Sequence, residues 1–269
     1  MIILAYVTLT SSFGSVVALA ALPGNLAMTF ASGNRVLDLL EEKPQVEDAI
    51  NSKSFVFDNL KIQNVSFKYE DISILDNINI NVNKNEIIGI LGPSGCGKST
   101  LLKLLMRFYD VESGCILYND VNIKNISIKH LYENVNLFSQ TTYLFTGTIY
   151  ENLIIAKPDA TKEEVIEACK NASIYKYIES LPNGLDTKIT DLKDNLSSGE
   201  KQRLGLARVF LKKPKLLLLD EATSNIDAIN EGIILNALKK YKEDMTIIMI
   251  SHRKSTLSIC DRIYKLGEE

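Results

Sequence analysis

Few stretches constrain a fold as tightly as Gly92-Pro93-Ser94-Gly95-Cys96-Gly97-Lys98-Ser99-Thr100. It follows the pattern of a glycine, four free positions, then Gly-Lys-Ser. Ahead of it, Ile87-Ile88-Gly89-Ile90-Leu91 is an apolar run suited to a buried parallel strand. Behind it, Leu101-Leu102-Lys103-Leu104-Leu105-Met106-Arg107 is made mostly of good helix formers. Glycines at these positions let backbone N–H groups converge on an anion, and a helix N-terminus adds positive potential. Lys98 is then expected to reach the β- and γ-phosphates of a nucleotide, and the Ser99 hydroxyl to hold Mg²⁺. A chance glycine-rich turn is the competing reading. Strand, loop and helix in the required order argue against it.

A second element supports the first. Lys215-Leu216-Leu217-Leu218-Leu219-Asp220-Glu221 describes a buried strand whose C-terminal end presents two acids. In open α/β sheets that end is where ligands bind. Asp220 is expected to hold Mg²⁺, and Glu221 to act as general base on the attacking water. Alone, the run would read as an apolar strand ending in solvated acids; beside a phosphate loop it does not. The chain has two histidines. His130 reads as structural, whereas His252 follows the apolar run Met245–Ile250 and can reach the γ-phosphate region.

At 46% hydrophobic and 23% charged residues the chain can bury a real core, and its net charge of −3 supplies no general basic footprint for nucleic acid. Cysteines stand at 96, 115, 169 and 260 without metal-binding spacing, which predicts reduced thiols. Cys96 lies within the phosphate loop, near Lys98 and a helix start, where thiols tend to be reactive. The first charged residue is Arg35. The uncharged run before it is long enough for one membrane-spanning helix, with Pro23-Gly24 expected to kink or interrupt it. A buried globular helix or a signal peptide would account for the same run. Alternation over Leu60–Tyr69 and Ile72–Val82 predicts an antiparallel β-subdomain. Further strands are expected at Cys115–Tyr118 and Val135–Ser139. Helices should fill most of Thr148–Leu181, with Thr161 and Glu164 as a capping box.

Leu196-Ser197-Ser198-Gly199-Glu200-Lys201-Gln202-Arg203, upstream of the acidic strand, resembles the LSGGQ signature of ATP-binding-cassette (ABC) ATPases. Other landmarks of that family fall in order around it. The resemblance identifies Tyr69 with the aromatic residue that stacks on adenine. It identifies Gln140 with the Q-loop glutamine, a ligand near Mg²⁺ and the attacking water. Ser224-Asn225-Ile226-Asp227 resembles the D-loop, and His252-Arg253 the H-loop. The resemblance implies an α/β fold: a P-loop NTPase core with a mostly parallel sheet, an antiparallel β-subdomain and an α-helical subdomain, preceded by one transmembrane helix. Residues 1–42 resemble the end of an exporter's membrane domain, 43–54 a linker, and 55–269 the cassette without its closing helices. On this reading the chain is part of a longer half-transporter.

The resemblance also implies a mechanism. ATP with Mg²⁺ would lie between residues 92–100 of one cassette and Ser197, Gly199 and Asp227 of another. The expected partners are a second half-transporter (identical or different), a membrane and a transported small molecule, with the ATPase domain at the cytoplasmic side of the plasma membrane. Ser11-Ser12-Phe13-Gly14 with Leu22-Pro23, together with LSSGE, resembles bacterial thiol exporters of cytochrome assembly. Several positions depart from the family pattern: Ser198 replaces glycine, Glu200 replaces glutamine, Asn225 replaces alanine, and Thr190–Lys193 lacks the usual glycines. The acid at 200 predicts a weakened signature. A regulatory cassette with little turnover, a non-transport ABC ATPase or an importer subunit are the alternatives.

Overall fold

The computed structural model describes residues 1–49, 55–190, 196–223, 226–253 and 255–267, for 15–17 the backbone alone. The chain divides into two units, Met1–Glu47 and Asp48–Glu269.

The first unit is built on helix α1, Ile2–Glu41. Its described side chains are all exposed, and its mean hydropathy reaches 1.9 over an 18-residue window. That is long and apolar enough to cross a bilayer. The hydroxyls that dilute this run are satisfied locally. Thr8, Thr10, Ser11, Ser12, Thr29 and Ser32 donate to carbonyls three or four residues back. The expected interruption at Pro23-Gly24 is not found; the helix continues through Pro23. One proline removes a single ladder bond, and long helical segments on both sides carry the rest.

The second unit packs two main sheets with helices. The alternating runs form an antiparallel hairpin, β1 (Asn59–Tyr69) and β2 (Ile72–Asn83). With β4 (Ser113–Tyr118) and β5 (Val121–Asn122) they make a sheet of order β2-β1-β4-β5. The other sheet is parallel throughout, in the order β11-β3-β10-β9-β6. Its strands are β3 (Ile87–Leu91), β6 (Val135–Phe138), β9 (Leu216–Asp220), β10 (Thr246–Ile250) and β11 (Arg262–Lys265). A short pair, β7 (Gly147–Thr148) with β8 (Lys188–Ile189), lies apart.

Successive side chains of a strand point to opposite faces, and the leucine and isoleucine runs divide accordingly. Ile87, Leu217, Leu219, Ile247 and Met249 join the core under helices α5 (Lys162–Asn171), α7 (Ser198–Lys212) and α8 (Ala228–Lys240). Ile88, Ile90, Leu216, Leu218, Ile248 and Ile250 join the core shared with α2 (Lys98–Leu105) and the antiparallel sheet. Burial of each such side chain stabilises the fold by about 1.5–3 kcal/mol. The continuous apolar runs therefore belong to strands covered on both faces. The helices α3 (Ile128–Asn134), α4 (Ile149–Ile154) and α6 (Tyr175–Ser180) complete the unit. Thr161 and Glu164 form the expected capping box on α5. Two further boxes start α4 (Thr148 with Glu151) and α7 (Ser197 with Glu200).

Candidate functional site

The parallel sheet assembles the site at the C-terminal ends of β3, β9 and β10. β3 stops at Leu91, and the chain turns through Gly92–Gly97 into α2. Gly97 sits at φ 90°, in the left-handed region open to glycine. A Cβ there would lie 2.7 Å from Leu75 Cδ2 and 2.9 Å from the Ile74 carbonyl oxygen, so β2 presses directly on the loop. Pro93, Ser94, Gly95 and Ser99 are exposed, while Thr100 is buried. Lys98 folds back across its own loop, donating to the carbonyls of Gly92 (2.9 Å) and Pro93 (2.6 Å). Its ammonium is 3.8 Å from Cys96 Sγ.

β9 lies two strands from β3, with β10 between them. Ser99 Oγ donates to Asp220 Oδ1 at 2.9 Å. Burial pushes the Asp220 carboxyl above its usual range; the Ser99 hydroxyl opposes this, the neighbouring Glu221 charge adds to it, and Lys103 and Lys98 oppose it. Asp220 pairs in register with Ile250. The Glu221 amide donates to the Ile250 carbonyl at 3.2 Å, and its φ of 46° turns the chain sharply off the strand. Two residues beyond Ile250, His252 Nδ1 stands 3.6 Å from Glu221 Oε1. Lys98, Ser99, Asp220, Glu221 and His252 are thus brought to one edge from segments far apart in the chain.

Gln140 follows β6, which pairs with β9 (Phe138 opposite Leu219), so it leaves the same edge. Its backbone carbonyl accepts from Gln202 Nε2, and Thr142 Oγ1 donates to Gln202 Oε1 at 3.0 Å. Tyr69 ends β1 in an aromatic cluster, edge-on to Phe67 at 4.9 Å and to Tyr109 at 5.3 Å. Its hydroxyl oxygen is buried with no hydrogen-bond partner among the described residues.

The LSSGE segment lies at the start of α7, and Ser197 is its N-cap. Glu200 Oε2 accepts from the Ser197 amide at 2.7 Å. The acid at 200 is therefore engaged in holding the helix start, as the acid of a capping box. Gly199 packs against α8, and a Cβ there would lie 2.8 Å from Asn230 Nδ2. Asp227 caps α8, accepting from the Ile229 and Asn230 amides at 3.0 Å each. Those contacts hold the Asp227 carboxyl below its usual range. Asn230 also donates to Asp227 Oδ2 (2.5 Å) and accepts from Arg203. Asn230 and Arg203 thereby tie the LSSGE helix to Asp227, a link that the sequence reading missed. The Asp-x-x-Asn spacing at a helix start was its available signal. Asp191 and its neighbours through Asn195, and Ser224-Asn225, fall outside the described residues.

A further connection was not legible beforehand. Buried Asn152 bonds the Phe145 amide and carbonyl (2.8 and 2.9 Å), and Arg208 donates to Asn152 and to the Tyr143 carbonyl. This network braces the loop after Gln140 against α7.

The four cysteines are free thiols. Burial pushes Cys169 and Cys260 up to about 12, which leaves them poor nucleophiles at neutral pH. Cys96 Sγ packs so close to Gly92 that a Cβ there would be 2.7 Å away. A maleimide adduct at Cys96 is therefore expected to displace Lys98 and the loop and to abolish nucleotide binding. Labelling of wild type and Cys96→Ser, followed by nucleotide titration, checks this. Full affinity in labelled wild type would refute it.

Comparison with known proteins agrees with this geometry. The ABC transporter family profile matches residues 75–224. A "Probable ABC transporter ATP-binding/permease protein" of Haemophilus influenzae Rd is 49% identical over 260 residues, 96% of this chain and 47% of that protein. The "Multidrug resistance protein pgp-1" of Caenorhabditis elegans is 40% identical over 239 residues, 87% of this chain and 18% of that protein. A solved bacterial Atm1-family ABC exporter with ATP bound superposes with a TM-score of 0.83 at 34% identity, covering 90% of this chain and 43% of the exporter chain. The chain thus spans about half the length of the Haemophilus relative. Glycine loop, acidic strand end, LSSGE helix and family match converge on one conclusion: this chain belongs to the ABC transporter family and carries its ATP-binding domain.

Proposed function

We propose that this chain is the ATP-hydrolysing motor portion of a membrane exporter and that it works as one half of a dimer. The observation that carries the reading is the cluster of Lys98, Ser99, Asp220, Glu221 and His252 at one sheet edge. Lys98 would exchange its two carbonyl contacts for phosphate oxygens. The backbone of Gly92–Gly97 would wrap the same phosphates, with Thr100 anchoring the helix start and Tyr69 presenting its ring to adenine. Glu221 would take the proton from the attacking water, and His252 would hold Glu221 and the terminal phosphate in register. Gln140 would sense the nucleotide and pass its state to the braced loop behind it. Ser197, Gly199 and Asp227 would act on the nucleotide of the partner copy.

The residues present suit Mg²⁺. That ion takes one or two protein oxygens and completes its shell with phosphates and water. The Ser99–Asp220 pair offers such a partial set, and among the described residues no larger cluster of His, Cys, Asp and Glu competes with it. Bound there, Mg²⁺ would neutralise charge developing on the phosphates, and its charge would oppose the burial that raises the Asp220 carboxyl. The apolar exposed α1 supports a location at the membrane, and the relatives' names support export of a small molecule. A regulatory cassette with little turnover is disfavoured by Lys98, Asp220, Glu221 and His252, which all stand at the same edge.

The test is Mg-dependent ATPase activity of the chain in lipid nanodiscs beside Lys98→Ala. Loss of ATP binding and turnover in the variant is the expected result. Equal activity in both would remove the phosphate loop from the mechanism.

A further inference from the structure

Behind the Glu221–His252 pair lies a polar cluster to which the scheme above gives no role. Glu231, in the first turn of α8, is only 7% exposed. Carboxylates rarely go inside a protein without dedicated partners. Its Oε1 accepts from the Thr256 hydroxyl and, at 3.3 Å, from Thr223, and these two hydroxyls are 3.4 Å apart. Its Oε2 stands 3.4 Å from the Arg253 guanidinium.

Each partner belongs to a different segment leading to the reacting edge. Thr223 comes two residues after Glu221, Arg253 is next to His252, and Thr256 begins the 3-10 turn that follows. Glu231 itself is on the helix that Asp227 caps. One buried carboxylate therefore fastens the turn after the acidic strand, the turn after β10 and the start of α8 at a single point. The register of β9 on β10 ends at Asp220 opposite Ile250, with the Glu221 amide on the Ile250 carbonyl, and the side chains of Glu221 and His252 meet 3.6 Å apart beyond it.

We propose that Glu231 is a positioning residue for ATP hydrolysis, holding His252 against Glu221 through Arg253, Thr256 and Thr223. It does not touch the nucleotide, so it acts on turnover and not on ATP affinity. A misplacement of about 1 Å at a reacting group can cost about a hundredfold in rate.

This inference rests on the ATPase reading above, and its test separates the two. The full chain in nanodiscs is compared with Glu231→Gln, which keeps size and loses charge, and Glu231→Asp, which keeps charge and shortens reach. Glu231→Gln is expected to lower kcat by about 10- to 100-fold with KM for ATP within about twofold, and Glu231→Asp to recover part of the loss. The chain has only two histidines, so ¹³C-histidine NMR reads both directly. The His252 ring resonance should shift or broaden in Glu231→Gln while that of His130 stays in place. Unchanged kcat with an unchanged His252 signal overturns the proposal. So does a parallel loss of kcat, ATP affinity and thermal midpoint in both variants, which would mark a purely structural carboxylate. If wild type shows no Lys98-dependent turnover, the ATPase reading fails. The His252 resonance then decides by itself, an unperturbed signal in Glu231→Gln refuting the tether and a shifted one supporting it.

Discussion

Glu221→Gln is expected to lower ATP turnover by about 10²- to 10⁴-fold, the usual contribution of a general base, while ATP still binds. The amide is the same size as the carboxylate, so the turn off β9, held by the Glu221 amide on the Ile250 carbonyl, should survive. What disappears is the proton acceptor. A negative charge that pushes up the Asp220 carboxyl also disappears, so affinity for Mg²⁺ and ATP should hold or improve. With hydrolysis blocked, the ATP-loaded form accumulates, and any state that ATP favours is populated by mass action. On the dimer reading, light scattering in nanodiscs or detergent would show twofold mass for Glu221→Gln in ATP and half that in ADP. Turnover close to wild type would mean that Glu221 is not the base. Blocked turnover without a mass change would retain the base and refute the dimer.

The second large effect is expected for Gly97→Ala. At φ 90° an L-residue is strained by about 1–3 kcal/mol. The added methyl would also lie 2.7 Å from Leu75 Cδ2 and 2.9 Å from the backbone oxygen of Ile74. A flexible leucine tip can give way, but the carbonyl lies between Ser73 and Leu75, which are paired with Lys68 and Phe67 of β1. The loop must therefore move, and with it the convergence of amides on which phosphate binding depends. At 1.4 kcal/mol per factor of ten, a loss of about 10- to 100-fold in ATP affinity follows from strain alone. Titration with a fluorescent ATP analogue measures it. Thermal unfolding without nucleotide shows whether the strain falls on the loop or on the fold. Affinity within about twofold of wild type would show that the loop adapts at no cost to the site.

These two residues differ in how far they could be read in advance. The glycine loop was legible because it is local: strand, turn and helix start are adjacent in the chain, and the need for positive φ leaves few residue types. The apolar runs at Leu216–Leu219 and Ile247–Ile250 were legible as buried strands because both faces of a covered parallel strand must be apolar. Alternation was equally clear in β1 and β2, where one face is solvated. The helix is not interrupted at Pro23 because a single proline removes one hydrogen bond from a helix of 40 residues without ending it. Glu200, read as a charge that weakens the LSSGE segment, has a second role that only the helix start shows: its carboxylate accepts from the Ser197 amide three residues earlier.

Other features had little signature to read beyond the Asp-x-x-Asn spacing at Asp227. Asn230 and Arg203 join α7 to Asp227 across two helix starts, and Asn152 with Arg208 braces a loop from a third helix. Asn230 and Arg203 are 27 residues apart and Asn152 and Arg208 are 56 apart, and an arginine in a helix carries no mark of what it will face. Glu231 read as one more charge on a helix until the fold buried it among Thr223, Arg253 and Thr256.

By itself, then, the sequence determined the elements whose chemistry is local: the phosphate loop, the buried strands, the capped helix starts and the identity of the acids at Asp220-Glu221. Only the tertiary structure decided which of those groups meet. Parallel pairing of β3, β10 and β9 sets Ser99 against Asp220 and Glu221 beside His252. The physical reason is that a backbone motif is specified by the allowed φ/ψ of adjacent residues, whereas a buried side-chain contact exists only after strands distant in sequence have been brought into register.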